Sequence, residues 1–141
     1  MIDNHNIQEI LSRADKHTDN GEYMQSLALL RDAVSLIPEP FQDHPMSAEV
    51  IAAIGDNYFL MGELEKAQEA YSDVMACGDS PANPYVRLRR GQIAFELGDI
   101  KKAETELACA YMNGGEEIFQ DEDPKYLAFI KPILEQTEKG T

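Results

Sequence analysis

The sequence predicts an all-α chain in which three helical hairpins stack in series as a solenoid and a C-terminal helix covers the end. Three observations predict this class of fold. A segment recurs along the chain, apolar residues are spaced by three and four around each turn, and the turns are too short to join anything but antiparallel helices. No long stretch alternates at period two, so no β-sheet is indicated. The 141 residues suit one domain, which we expect to span residues 1–141.

The repeat is visible when the sequence is aligned with itself. Residues 54–67 match residues 90–103 at a constant offset of 36 positions. The identical pairs are Gly55 and Gly91, Phe59 and Phe95, Gly62 and Gly98, Lys66 and Lys102, and Ala67 and Ala103. A fainter copy lies upstream at an offset of 41, with Gly21 in the place of the second glycine and Ser26 in the place of the alanine. Its extra length falls in the proline-rich loop 38–45.

Each copy predicts two helices, one before and one after its second glycine. The spacing of apolar residues in the first copy is typical: Ile7, Ile10, Leu11 and Ala14 precede the turn, and Leu27, Leu30 and Val34 follow it. The three copies span about residues 7–40, 48–81 and 84–117.

Helix starts are marked by residues that favour the N-cap position. These are Ser47, Asn83 and Asp123, of which the last two are followed by proline at the first helical position. The last of them opens a helix over about residues 124–138 with one apolar and one polar face, as the end of a solenoid requires. We expect Pro132 to kink or shorten this helix.

Small residues explain how the two helices of a hairpin pack closely. We expect Gly55 and Gly91 to face Ala67 and Ala103 across their hairpins. A larger residue at these sites would push the helices apart, at a cost of about 1–3 kcal/mol.

The charge of the chain favours some partners and excludes others. There are 26 Asp and Glu residues against 12 Lys and Arg residues, a formal net charge of −14. Such a charge repels phosphate backbones and anionic lipid, so we expect neither nucleic-acid nor membrane binding. It favours a partner with a basic surface.

The sequence also predicts a cytoplasmic location. The first six residues have neither the basic start nor the apolar run of a secretory leader. Cys77 and Cys109 lie 32 positions apart in apolar segments and form no C-x-x-C pair. We interpret them as buried small hydrophobic residues in a reducing compartment.

No motif for catalysis or cofactor binding is present. The histidines His5, His17 and His44 are scattered, and no phosphate-binding glycine loop occurs. The acidic run at residues 116–123 lacks the spacing of an EF-hand. The sequence therefore predicts a protein that is not an enzyme and has no metal or cofactor.

The repeat resembles the tetratricopeptide repeat, a helix–turn–helix of about 34 residues. The matching residues are Gly55, Tyr58, Gly62, Ala67 and Tyr71 in the second copy, Gly91, Gly98, Ala103 and Ala110 in the third, and Gly21, Leu30, Ala33 and Pro38 in the first. Two family positions differ. Ile10, Ile51 and Arg87 replace a large aromatic residue, and Arg13 and Arg90 replace a leucine. Each of these last two arginines either extends into solvent or pairs with a nearby acid.

The resemblance implies a right-handed superhelix whose concave side is lined by the first helix of each hairpin. It places Leu11 and Leu88 on that face, together with a set of residues that we expect to contact a partner. These are Asp15, Glu49, Asp56, Phe59, Tyr85, Arg89, Gln92, Phe95 and Glu96. Aromatic rings there would anchor a protein and the acids would steer a basic one. For Phe59 and Phe95, packing into the next hairpin is the alternative.

One familiar variant of the family is not expected here. Chaperone-binding members grip a C-terminal carboxylate with Lys, Asn and Arg on this face. The corresponding positions hold Leu11, Asp15, Ala53, Tyr85 and Arg89, and only the arginine fits such a clamp.

A narrower resemblance covers roughly residues 48–134. The segments 91–98, 110–112, 115–119 and 122–126 are similar to those of small bacterial tetratricopeptide proteins associated with polymorphic-toxin loci. The resemblance implies an immunity protein that inhibits a toxin domain. Two alternatives remain open: a chaperone or adaptor that holds an extended peptide, and a structural homo-oligomer assembled through the C-terminal helix or the loop 38–45.

Overall fold

The computed structural model describes the backbone of residues 4–139 and the side chains of residues 6–136. Over that range it contains seven α-helices and no β-strand, so the all-α prediction is confirmed. The helices are α1 (Asn4–Asp19), α2 (Tyr23–Leu36), α3 (Ser47–Leu60), α4 (Leu64–Met75), α5 (Pro84–Leu97), α6 (Ile100–Gly114) and α7 (Pro124–Lys139). Short 3-10 turns lie at Phe41–Asp43, Ser80–Ala82 and Glu116–Phe119. The leader prediction at residues 1–3 and the side chain of His5 lie outside the described residues.

The helices pair as the sequence predicts, and each hairpin turn has the same hydrogen bonds. α1 packs on α2, α3 on α4 and α5 on α6. In each turn the amide after the glycine donates to a carbonyl five residues earlier: Glu22 to His17 (2.8 Å), Glu63 to Tyr58 (2.8 Å) and Asp99 to Ala94 (2.9 Å). The turn glycines Gly21, Gly62 and Gly98 have φ angles of 75°, 80° and 82°. This left-handed conformation favours glycine, so the turn signal in the sequence has a direct physical cause.

Two of the predicted helix starts are confirmed. The side chain of Asn83 accepts a hydrogen bond from the Tyr85 amide at 2.9 Å, immediately before α5. Asp123 does the same for the Lys125 amide at 3.0 Å, immediately before α7. Pro132 lies inside α7, which continues to Lys139, so it does not shorten the helix. The other alternative, a kink at Pro132, stays a prediction.

The prediction that Ser47 caps α3 is wrong. Ser47 is the first residue of the helix and is fully buried, and the N-cap position belongs to Met46. The Ser47 hydroxyl instead donates to the carbonyl of Phe41 in the preceding 3-10 turn. Sequence rules assign this hydroxyl to the N-cap of α3, but it hydrogen-bonds the preceding loop instead.

The nearest neighbours of the first glycines are not the alanines that the sequence predicts. A Cβ added to Gly55 would lie 2.6 Å from Cδ2 of Tyr71, and one added to Gly91 would lie 2.5 Å from Cγ of Leu107. Tyr71 and Leu107 lie one helical turn beyond Ala67 and Ala103, and their larger side chains reach the glycines. The alanines are fully buried closer to the turn: Ala67 and Ala103.

The chain divides after Ser80 into two compact units. The first unit contains α1 to α4, and the second contains α5 to α7. In the first unit α3 also packs against α1 and α2, so the first two hairpins stack as predicted. The core that joins them consists of Ile7, Leu11, Ala14, Leu30, Ala33, Ile37, Met46 and Val50. That the whole chain is a single domain stays a prediction.

The two units differ strongly in charge. Residues up to Ser80 include 15 acidic and 4 basic side chains, a net charge of −11. Residues from Pro81 onward include 11 acidic and 8 basic side chains, a net charge of −3. The negative charge of the chain is therefore concentrated in the first unit.

A buried polar network joins three helices of the first unit. The Thr18 hydroxyl lies 2.8 Å from Oγ of Ser26 and 3.0 Å from Oδ1 of Asn57. Nδ2 of Asn57 donates to Oγ of Ser26 at 3.0 Å and to the Ala53 carbonyl at 2.9 Å. Ser26 is fully buried and occupies the repeat position that holds alanine in the other copies. The serine at this position weakens the repeat signal in the sequence, but its hydroxyl is needed for the hydrogen bonds of this network.

A buried carboxylate joins α5 and α6 in the second unit. Glu106 has 8% of its side chain exposed and lies 3.0 Å from Arg87 and 3.2 Å from Arg90. Arg90, which replaces the family leucine in the third copy, therefore pairs with an acid. This is the second of the two alternatives that the sequence leaves open. Arg13, at the same position of the first copy, is exposed.

Candidate protein-binding surfaces

The first unit brings together carboxylates from α1 and α3. Asp15 belongs to α1 and Asp56 to α3, which pack against each other. Glu49 precedes Asp56 by two helical turns and lies on the same side of α3. We call Asp15, Asp19, Glu49 and Asp56 the acidic face. Two residues that the sequence predicts on this surface, Asp15 and Glu49, are exposed.

Three carboxylates of the acidic face, those of Asp15, Asp19 and Asp56, repel one another. Partial burial raises the pKa of Asp15, and the negative charges of Asp19 and Asp56 raise it further. Asp56 is half-buried and accepts a hydrogen bond from the Tyr71 hydroxyl at 2.6 Å. The Tyr71 ring lies where a Gly55 side chain would be, so this glycine allows α4 to reach and orient the aspartate.

Replacing Asp15 with asparagine is expected to stabilise the protein slightly at pH 7. Because the pKa of Asp15 is raised, its charged form costs more free energy in the folded chain than in the unfolded chain, and asparagine removes that cost. The gain should be about 0.5 kcal/mol, since the side chain is exposed. It should disappear below about pH 3.9, where both states bind the proton.

Urea denaturation at pH 7 and pH 3 measures this effect, with Asp32→Asn on α2 as the control. Asp32 is also exposed. A gain for Asp15→Asn that is the same at both pH values would contradict an electrostatic cause.

Phe59 and Tyr85 have different surroundings. Phe59, on α3, is half-buried, and both alternatives for its role remain open. Tyr85, at the start of α5, is 64% exposed, so its ring is available to a partner as the sequence predicts.

In the second unit, α7 covers part of the α5 surface that was predicted to be open. Glu96 lies 2.6 Å from Nζ of Lys125 and accepts a hydrogen bond from the Tyr126 hydroxyl at 2.7 Å. The hydrogen bond from Lys125 is the main cause of the lowered pKa of Glu96. Phe95 packs edge-to-face against Tyr126 and Phe129, with ring centroids 5.5 Å and 5.2 Å apart. These contacts favour the packing alternative for Phe95.

Gln92 is not on an open surface. It is 1% exposed, its Nε2 donates to Glu122 at 2.7 Å, and its Oε1 accepts from Arg89 at 2.9 Å. Glu122 comes from the segment before α7, which lies against this part of α5. Leu11 and Leu88 are also buried, which corrects their placement on an exposed face.

The described residues contain no group of three or more His, Cys, Asp or Glu side chains placed to hold a metal ion. His17 lies 3.1 Å from Glu22, and His44 accepts a hydrogen bond from the Met46 amide at 3.0 Å. Cys77 is buried as predicted, and burial raises the pKa of its thiol. Cys109 is half-buried, so the prediction that it is buried is wrong.

Paired helices, repeated glycine turns and stacked hairpins define a tetratricopeptide-type fold, and solved structures agree. The first tetratricopeptide domain of Spaghetti (RPAP3), bound to an HSP90 peptide, matches with a TM-score of 0.70 and 12% identity, over 97% of this chain and 99% of that chain. The Yersinia enterocolitica type III secretion chaperone SycD, in complex with a peptide of the translocator YopD, matches with a TM-score of 0.68 and 14% identity, over 92% and 93% of the two chains.

MamA matches with a TM-score of 0.65 and 17% identity, over 98% of this chain and 82% of that chain. No model of a protein family matches this chain, and no curated protein matches its sequence. The similarity therefore shows the fold. None of the helices over the described range has the length and hydropathy that a membrane span needs.

Proposed function

We propose that this chain is a protein-binding module that sequesters or inhibits a partner with a basic surface, and that the acidic face of the first unit is its main contact. One observation carries the proposal: carboxylates from two packed helices, Asp15 on α1 and Asp56 on α3, lie on the same side of a unit of net charge −11. Lysine or arginine side chains of a partner would relieve this repulsion and accelerate association.

In its specific form, the proposal is that the chain is an immunity protein that neutralises a toxin domain in the cytoplasm. The resemblance of residues 48–134 to tetratricopeptide proteins of polymorphic-toxin loci supports it. The mechanism would be stoichiometric occlusion of a cationic toxin surface. Co-purification with the product of the adjacent gene tests it. A neighbour that has no toxin domain and forms no complex would remove this form of the proposal.

A second candidate function is that of a chaperone or adaptor for an extended peptide. The structural similarity to SycD and to the RPAP3 domain favours it, because both were solved with bound peptides. The two functions differ in the state of the partner. Binding of a folded toxin domain with 1:1 stoichiometry supports the first, and binding that requires an unfolded segment of the same protein supports the second.

Reversing two charges of the acidic face is expected to weaken binding of the co-purified partner. The variant Asp15→Lys with Glu49→Lys changes two exposed residues and should reduce the association rate at least 10-fold at low salt, with a smaller effect at high salt. Surface plasmon resonance at several ionic strengths measures the rate.

The matched control is Asp32→Lys with Glu65→Lys, which makes the same change in net charge at exposed positions of α2 and α4. We expect it to change the rate less than 3-fold. Equal effects of the two double variants would show that net charge acts without a localised site, and would contradict the acidic face as the contact.

A further inference from the structure

The second unit contains a cavity that shares no residue with the acidic face. Its volume is about 530 Å³, and it lies between the 3-10 turn Glu116–Phe119 and the first half of α7. Phe119, Leu127 and Ala128 contribute apolar surface to its wall. This volume is within the range of about 300–1,000 Å³ that is usual for ligand pockets, and the cavity is open to solvent on one side.

The rim of the cavity is acidic. Three of the lining residues are glutamates, and one is a lysine. Lys131 binds Glu116 at 2.9 Å. Glu122 lies 3.5 Å from the guanidinium of Arg89 and accepts a hydrogen bond from Gln92 at 2.7 Å. The exposed carboxylate of Glu117 has no charged partner among the side chains that the structure describes. The site therefore combines an apolar wall with one carboxylate, that of Glu117, in excess over the cations at its edge.

We propose that this cavity binds a segment of a partner protein in which a bulky apolar side chain is flanked by lysine or arginine. The apolar residue would enter beside Leu127 and Ala128, and a flanking cation would meet Glu117. Charge complementarity selects this occupant. A second copy of this chain, of net charge −14, would be repelled, and so would an anionic ligand. The site lies wholly within the second unit. This proposal is therefore separate from the function proposed for the acidic face of the first unit.

The test uses the full chain and a fluorescein-labelled octapeptide with a central Leu-Phe pair between two lysines on each side. Fluorescence anisotropy in 150 mM salt should show saturable binding. Peptides with Ser-Gly in place of Leu-Phe, or with glutamates in place of the lysines, should each bind at least 10-fold more weakly. Equal binding of the Ser-Gly peptide would overturn the proposal, because it would remove the role of the apolar wall.

Variants then locate the site. Ala128→Trp fills the cavity from an exposed position and should weaken the Leu-Phe peptide at least 10-fold, and Glu117→Lys should weaken it about 5-fold. The controls are Ala82→Trp and Glu104→Lys, at exposed positions outside the cavity, which should change affinity less than 2-fold. Thermal melts by circular dichroism verify that each variant is folded.

Two further outcomes would overturn the proposal. If Asp15→Lys with Glu49→Lys abolishes binding while Ala128→Trp does not, the peptide binds the acidic face, and only the cavity proposal fails. If sedimentation shows a dimer that Ala128→Trp dissociates, the cavity is an interface between copies of this chain. If Ala128→Trp alone abolishes binding, the cavity stands independently of the function proposed for the first unit.

Discussion

Replacing Gly91 with leucine is expected to destabilise the second unit by about 3 kcal/mol or more, the largest effect among the single substitutions considered. A Cβ at this position would lie 2.5 Å from Cγ and 2.6 Å from Cδ2 of Leu107, and 3.1 Å from the backbone nitrogen of the same residue. The side chain of Leu107 can rotate only into a filled core, and its backbone cannot move without separating α5 from α6. Urea denaturation followed by circular dichroism measures the loss.

Two further variants show whether close contact is the cause. Gly62→Ala adds a Cβ with no atom within 4 Å, so its cost should come from the φ of 80° alone and be about 1–2 kcal/mol. Gly91→Ala should be less harmful in a Leu107→Ala background than in the natural chain, because the smaller neighbour leaves space. Strictly additive effects would contradict the contact.

Replacing Glu106 with glutamine is expected to destabilise the second unit by about 3 kcal/mol. Its carboxylate accepts hydrogen bonds from Arg87 at 3.0 Å and from Arg90 at 3.2 Å, with 8% of its side chain exposed. Glutamine cannot neutralise two guanidinium groups, and an amide hydrogen would face one of them. Breaking a buried ion pair from one side leaves charge buried without compensation. Chemical denaturation measures the difference.

The control is Glu104→Gln, two residues earlier on α6, whose side chain is exposed. It should change stability by less than about 0.5 kcal/mol. The triple variant Glu106→Leu, Arg87→Leu and Arg90→Leu should recover most of the loss, because it removes the charges together. A Glu106→Gln protein as stable as the natural chain would show that the three charges contribute nothing to the pairing of α5 and α6.

The fold could be predicted from the sequence because its main signals are local. A glycine with positive φ defines each hairpin turn, and the spacing of apolar residues defines the helices on either side. The cap at Asn83 is local as well, and it was predicted correctly. Ser47 follows the same rule but has a tertiary partner, the carbonyl of Phe41, and the rule fails there.

The candidate site was less accessible to sequence reasoning. Asp15 and Glu49 are exposed as predicted, and each lies on the first helix of a hairpin, where the repeat pattern places it. Gln92 and Glu96 depend on Glu122 and Lys125, which lie outside the repeat. An end helix has no second copy for comparison, so self-alignment gives no information about what it covers. The charged residues just before and within the start of α7 were the available signal.

The network of Thr18, Ser26 and Asn57 has a consequence for the order of the hairpins. At the repeat position of Ser26 the later copies have Ala67 and Ala103, and at that of Asn57 the third copy has Ile93. In a chimera with the first hairpin placed directly before the third, the buried hydroxyl of Ser26 would therefore face the aliphatic side chain of Ile93. The hairpins are not exchangeable building blocks. The interface between the first two hairpins depends on this pair, so permuted versions of this chain would require Ser26 and Asn57 to be moved together.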